Sequence, residues 1–234
     1  MRDRFVLKGA SLFCLWSKEP HRATWDLDLL GRGPGGVPDV EQAMQDICAT
    51  EVEDDGLVFD VSSLHGEPIR VDQEYEGVRV RLEVRLGDAR IPMQIDVGFG
   101  DAVTPPPRLQ DYPVALNQPA PKILAYSRET VIAEKLEALV SRGLSNGRMK
   151  DFYDLHFLAT HFPFAGALLA DAVRHTFERR KTAIPDAVPV GLSDEFAAVP
   201  DRAKQWNAFV RRGRLGGTLY RETRTRRYGT RALV

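Results

Sequence analysis

Val78-Arg79-Val80-Arg81-Leu82-Glu83-Val84-Arg85-Leu86 alternates apolar and charged residues without a break. A period of two fixes a strand with one buried and one wet face, and it excludes a helix, whose apolar positions recur every three to four residues. Gly87-Asp88 supplies a turn, and Ile91 to Phe99 supplies the returning strand, with Asp96 on the face opposite Ile95 and Val97.

Shorter signals place the rest of the first half around that hairpin. Phe5-Val6-Leu7 reads as a strand, Gly9 as a tight turn, and Leu12-Phe13 with Leu15-Trp16 as a buried helix. Trp25-Asp26-Leu27-Asp28-Leu29-Leu30 again alternates, so Asp26 and Asp28 share one face of a strand. Gly31 to Gly36 is a loop, followed by a helix over Val40 to Cys48 with Asp39 as its N-cap.

Pro105-Pro106-Pro107 is the sharpest break in composition and reads as a stiff linker, which divides the chain into residues 1–104, a helical part over 105–212 and a basic tail over 213–234. Ser127 caps a helix that carries Val131, Ile132, Leu136, Leu139 and Val140 and ends at Gly143. A second helix starts near Arg148, and later ones cover Gly166 to Arg180 and Ser193 to Arg211.

Charge and cysteine usage narrow the function classes. With 234 residues, 43% hydrophobic and 28% charged, the chain suits a globular protein and not dominant disorder. The longest uncharged run, Phe157 to Ala170, has 14 residues and contains Pro163, short of the ~20 that a membrane helix needs. Lys8 interrupts the apolar N-terminal stretch, which argues against a secretion signal. Cys14 and Cys48 have neither disulfide-framework nor zinc spacing, so a cytoplasmic setting is expected. The net charge of −1 conceals eight arginines against Glu222 over residues 211–234, an ending suited to phosphates or an acidic partner.

Two groupings carry candidate chemistry. Asp26 and Asp28, about 6.5–7 Å apart along a strand, suit a hard cation, which typically takes one or two carboxylates and completes its shell with substrate phosphates. Gly9-Ala10-Ser11 upstream offers backbone N–H groups and a hydroxyl to a phosphate, and Asp96 is the expected third carboxylate. An isolated Asp-x-Asp is more often an exposed acidic strand; the small-residue turn and the second strand aspartate bring the two readings level. In the helical half, Lys135 borders the apolar stripe, a compact cation for a triphosphate, while Arg148, Asp151, Asp154 and Leu155 cluster at i+3 and i+4 steps. From spacing alone, an ion-paired helical hairpin explains this second group equally well. The Gly31 to Gly36 loop lacks the Gly-Lys-Ser/Thr of a P-loop, and His156 and His161 stand five apart, unsuited to one metal.

Phe5 to Phe13, Thr24 to Leu30, Gln94 to Asp101, Glu129 to Ala138 and Asn146 to Leu155 together resemble the AbiEii/AbiGii toxin family, nucleotidyltransferase-like proteins of the DNA polymerase β superfamily. The likeness runs from about Arg4 to Arg212. It implies an α+β fold, a nucleotidyltransferase-type mixed sheet with flanking helices followed by a helical domain. It also implies Mg²⁺-dependent transfer of a nucleotide from an NTP, a toxin role with an antitoxin partner, often in phage defence, and an RNA acceptor such as tRNA. The family's motifs fall on Gly9 and Ser11 for the phosphate turn, Asp26 and Asp28 for metal, Lys135 for NTP phosphates and Asp151 for catalysis, with Arg148 beside them. Asp96 as a metal ligand follows from the wider superfamily. Ala10 and Trp25 depart from the family pattern and motivate a rival reading, a catalytically degenerate module that binds NTP or protein. Metal-dependent phosphodiester hydrolysis is a third.

Overall fold

The alternating stretch forms the centre of an antiparallel trio. In the computed structural model, which describes residues 3–17, 21–71, 75–114 and 118–215, the strands are β1 (Phe5–Lys8), β2 (Asp26–Gly31), β3 (Leu57–Val71), β4 (Tyr75–Leu86), β5 (Ala89–Phe99), β6 (Arg108–Asp111) and β7 (Lys122–Ala125). They form one mixed sheet in the order β3-β4-β5-β2-β1-β7-β6. β4 pairs antiparallel with β3 and β5, β5 runs parallel to β2, β2 antiparallel to β1, β1 parallel to β7, and β7 antiparallel to β6.

One face of this sheet is apolar because the alternation puts Val78, Val80, Leu82 and Val84 of β4 beside Ile95 and Val97 of β5. Val40 and Met44 of a covering helix close over them, and Leu27 and Leu29 of β2 extend the contact. Each fully buried aliphatic side chain is worth roughly 1.5–3 kcal/mol relative to an exposed one. The opposite residues of β4, Arg79, Arg81, Glu83 and Arg85, form ion pairs on the other face.

α1 (Phe13–Trp16) follows a 3-10 turn over Ala10–Leu12, and the covering helix is α2 (Val37–Cys48). α2 starts three residues earlier than the sequence predicts. Gly36, not Asp39, is its N-cap, because Pro38 suits the first turn, where its missing N–H costs nothing, and Asp39 then adds its negative charge to that turn.

The helical elements are α3 (Arg128–Arg142), α4 (Met149–His161), α5 (Gly166–Arg179), α6 (Asp194–Ala198) and α7 (Arg202–Gly213). Ser127 caps α3 by accepting the Thr130 N–H, and Gly143 ends it with a positive φ of 50°. The single helix expected over Ser193 to Arg211 is two, α6 and α7, since Pro200 between them can neither donate an N–H nor tolerate a helical residue before it. α3 and α5 bury Val131, Ile132, Leu139, Leu169 and Phe177, while Met149, Phe196 and Trp206 make a smaller cluster.

The chain divides into two compact units, Met1–Asp101 with Arg108–Tyr126, and Ala102–Pro107 with Ser127–Val234. The proline run therefore lies inside a short segment of the helical unit and does not mark a single boundary. After it the chain returns to the sheet, where β7 becomes the parallel partner of β1 through Leu7 and Ala125. From residue 216 onward the basic tail lies outside the described residues.

Candidate functional site

The sheet assembles its charged groups by register. Lys8 of β1 pairs with Asp28 of β2, Asp28 with Asp96 of β5, Asp96 with Arg79 of β4, and Arg79 with Glu67 of β3. Residues in one such row share a face, so Lys8, Asp28, Asp96, Arg79 and Glu67 stand side by side across five strands, and Asp26 lies on the same face two residues from Asp28.

β1 ends at Gly9, whose φ of 74° and ψ of −154° fall in a region essentially reserved for glycine. The turn brings its backbone against Asp28, whose carboxylate takes the space that a side chain on residue 9 would need. Ala10 is buried in the 3-10 turn, so this departure from the family pattern is accommodated. Tyr112 braces the turn by donating its hydroxyl to the Ser11 carbonyl at 3.2 Å. Burial and a hydrogen bond with Cys14 push the Tyr112 phenol up to about 12, so it remains a donor at neutral pH. Trp25, just before Asp26, is 90% exposed.

The ends of the row are tied down. Lys8 Nζ lies 2.5 Å from Asp101 Oδ2, which also accepts the Tyr126 hydroxyl at 3.3 Å. Arg79 donates Nε to Asp96 Oδ1 at 2.8 Å and Nη2 to Oδ2 at 2.7 Å, a two-point ion pair. Asp96 thus stands beside Asp28, as the hairpin predicts, but with both oxygens engaged by a guanidinium. Among the described residues no three His, Cys, Asp or Glu side chains gather into a metal-holding group. Asp26 and Asp28 suit a hard cation that draws its remaining ligands from phosphate and water, and Asp96, the expected third carboxylate, stands in register with Asp28 while paired with Arg79.

The second grouping lies in the helical unit. Lys135 of α3 reaches Asp151 Oδ1 at 2.8 Å and Asp154 Oδ2 at 2.7 Å, both on α4. Arg148 adds its Nε to the other Asp151 oxygen at 2.5 Å. The Lys135 side chain is 13% exposed and those of Asp151 and Asp154 are 1% and 0%. Burial alone opposes charge on all three, but for Lys135 the attraction of Asp154 and Asp151 outweighs it and raises the pKa. For Asp151, Lys135 and Arg148 likewise overcome burial and hold the carboxyl below its ordinary range.

The structure brings together Gly9 with Asp28, and Lys135 with Arg148 and Asp151, as the sequence predicts. It adds Lys8, Arg79 and Asp101, which sequence reasoning did not single out as site residues, and gives Asp154, named there only in the helical cluster, a direct pairing with Lys135. Arg79 was within reach: counting back along both strands from the Gly87-Asp88 turn sets Arg79 opposite Asp96. Asp101 had no such signal, since it lies two residues beyond the end of β5, outside the alternation.

Comparison with known proteins gives one family. The model described as "Nucleotidyl transferase AbiEii toxin, Type IV TA system" matches residues 1–226. Two crystal structures are similar at 14% identity: JHP933 from Helicobacter pylori, covering 90% of this chain and 87% of that one at a TM-score of 0.44, and a candidate nucleotidyltransferase from H. pylori, covering 90% and 88% at 0.45. No curated protein matches the sequence.

Proposed function

The chain belongs to the AbiEii nucleotidyl transferase toxin family of type IV toxin–antitoxin systems, and from that premise we propose that it transfers a nucleotide from an NTP to an RNA acceptor, tRNA being the first candidate, with Mg²⁺ held by Asp26 and Asp28. The observation that carries this reading is the fit of the Asp28 carboxylate over Gly9 at the start of the 3-10 turn, with Asp26 on the same sheet face.

Bound there, a divalent cation would neutralise triphosphate charge and favour in-line displacement at the α-phosphorus. Asp26 and Asp28 would hold it and the Gly9 to Ser11 turn would receive phosphate oxygens; the acceptor oxygen would bond to the α-phosphorus and give up its proton to solvent as the bond to pyrophosphate breaks. In the helical unit, Lys135 holds Asp151 and Asp154 in place and favours the charged form of Asp151, and Arg148, 44% exposed, is the cation of that network open to a phosphate. An antitoxin partner follows from the family; a role in phage defence and a cytoplasmic location belong to the proposal. Among the described residues no helix is long and apolar enough to cross a membrane.

Incubation of the full chain with labelled NTPs, Mg²⁺ and total tRNA tests the reading. Label should pass to RNA with wild type and not with Asp28→Asn. NTP binding measured by calorimetry without any transfer would favour the degenerate module, and shortening of the RNA would favour hydrolysis.

A further inference from the structure

Trp25 is 90% exposed, more than any other large apolar side chain among the described residues. The other two tryptophans are sheltered by rings: Trp206 packs beside Phe209, and Trp16 stands edge-on to Phe13 at 5.4 Å between centroids. A single exposed apolar side chain is ordinary on a protein surface. This one stands next in the chain to Asp26, a carboxylate of the proposed cation site. Its backbone is pinned, because Asp26 begins β2 in register with Gln94 of β5 and the Thr24 hydroxyl donates to the Asp26 carbonyl at 3.3 Å, a hydrogen bond that spans Trp25. With only two side-chain torsions, an indole presented from such a base loses little freedom when a ring settles on it. Its chain neighbours Thr24 and Asp26 are polar and give a protein partner no apolar surround. A nucleotide whose phosphate meets a cation at Asp26, by contrast, carries its base one sugar away, and the π-face of any base matches an indole.

We propose that Trp25 is a base-stacking residue of the nucleotidyl-transfer site, its indole taking the face of a nucleobase from the incoming NTP or from the terminal nucleotide of the RNA acceptor. The inference rests on the transfer reading above and deepens it, since it assigns a residue to the base where the aspartates serve only phosphate. Stacking tolerates all four bases, so Trp25 contributes affinity and leaves base choice to hydrogen bonds elsewhere. It also gives a task to a residue that departs from the family pattern.

The full chain with Mg²⁺ is titrated with each NTP in the absence of RNA, with tRNA in the absence of NTP, and with inorganic tripolyphosphate, which has no base. Indole fluorescence and calorimetry read the binding. The NTPs or the tRNA should quench wild-type emission and bind about tenfold or more weakly to Trp25→Ala, while Trp25→Phe stays within about threefold of wild type, because a phenyl ring also stacks. Quenching by NTP alone assigns the base to the incoming nucleotide, and quenching by tRNA alone assigns it to the acceptor. Tripolyphosphate should bind wild type and Trp25→Ala alike. The melting temperature of Trp25→Ala should match wild type, since so exposed a side chain packs against little. Equal affinity of wild type and Trp25→Ala for every NTP and for tRNA would overturn the stacking assignment, as would an equal loss for tripolyphosphate. Failure of the wild type to bind any of them would instead overturn the transfer reading on which the inference stands.

Discussion

A Cβ placed on Gly9 would come within 2.0 Å of the Oδ2 atom of Asp28. Gly9→Ala must therefore expel the carboxylate from its place while also forcing an alanine into backbone angles it avoids, a strain of about 1–3 kcal/mol. The expected outcome is a melting temperature lower by several degrees together with loss of nucleotidyl transfer as complete as that of Asp28→Asn. Thermal unfolding and the tRNA-labelling assay on the same preparation check both.

Asp28→Asn should behave differently in stability. It keeps the side-chain shape that fills the space over Gly9, so its melting temperature should fall less than that of Gly9→Ala while transfer falls by about 10²-fold or more. A marked drop in melting temperature would mean that Asp28 serves the fold and not the reaction.

Lys135 is enclosed with two aspartates, and deleting it strands both. Lys135→Met should cost about 3–5 kcal/mol in urea unfolding, the scale for breaking a buried ion pair from one side. Asp154→Asn should cost less, since Lys135 keeps Asp151.

The same network fixes a dependence on pH. Asp151 is held below its unfolded pKa of ~3.9, so the stability it contributes is complete above that value and lost as pH falls through the lower folded one. Lys135 is raised, so its contribution is complete below ~10.4 and lost as pH rises beyond it. Melting temperature should therefore hold steady in this respect between about pH 5 and 9 and fall on acidification, less steeply in Asp151→Asn than in wild type. Melting curves across that range decide the matter.

Thr130 is fully buried; its hydroxyl donates to the Thr104 carbonyl at 2.8 Å and accepts the Thr104 N–H at 3.1 Å. Thr130→Val keeps the shape and leaves both backbone groups without that partner, at a cost of about 1–3 kcal/mol measurable in urea.

Elements with strong local signals were legible in the sequence. The alternation of β4 and β5, the turn at Gly9 and the helix between Ser127 and Gly143 all stand where the pattern puts them. β3 was missed because its alternation is interrupted by a bulge between Asp60 and His65, and β6 and β7 because four-residue strands amid prolines carry almost no periodicity. Asp26, Asp28 and Lys135 were visible as residue types at informative spacings. What Asp96 and Lys135 touch was not, because an ion pair across strands or helices depends on tertiary register: the spacing left Lys135 between a ligand and an ion-paired hairpin and gave Asp96 no partner, and the structure pairs them with Asp151 and Arg79.

The polypeptide crosses from sheet unit to helical unit, back, and across again, so that β1 acquires its parallel neighbour from residues beyond the first crossing. A cut at the proline run parts β1 from β7, whereas a cut after Tyr126 keeps all seven strands together. Shuffling between relatives at a point within the proline run would leave β1 as a bare edge, so an exchange that respects the sheet falls at the last crossing, after Tyr126, and not at the break in composition.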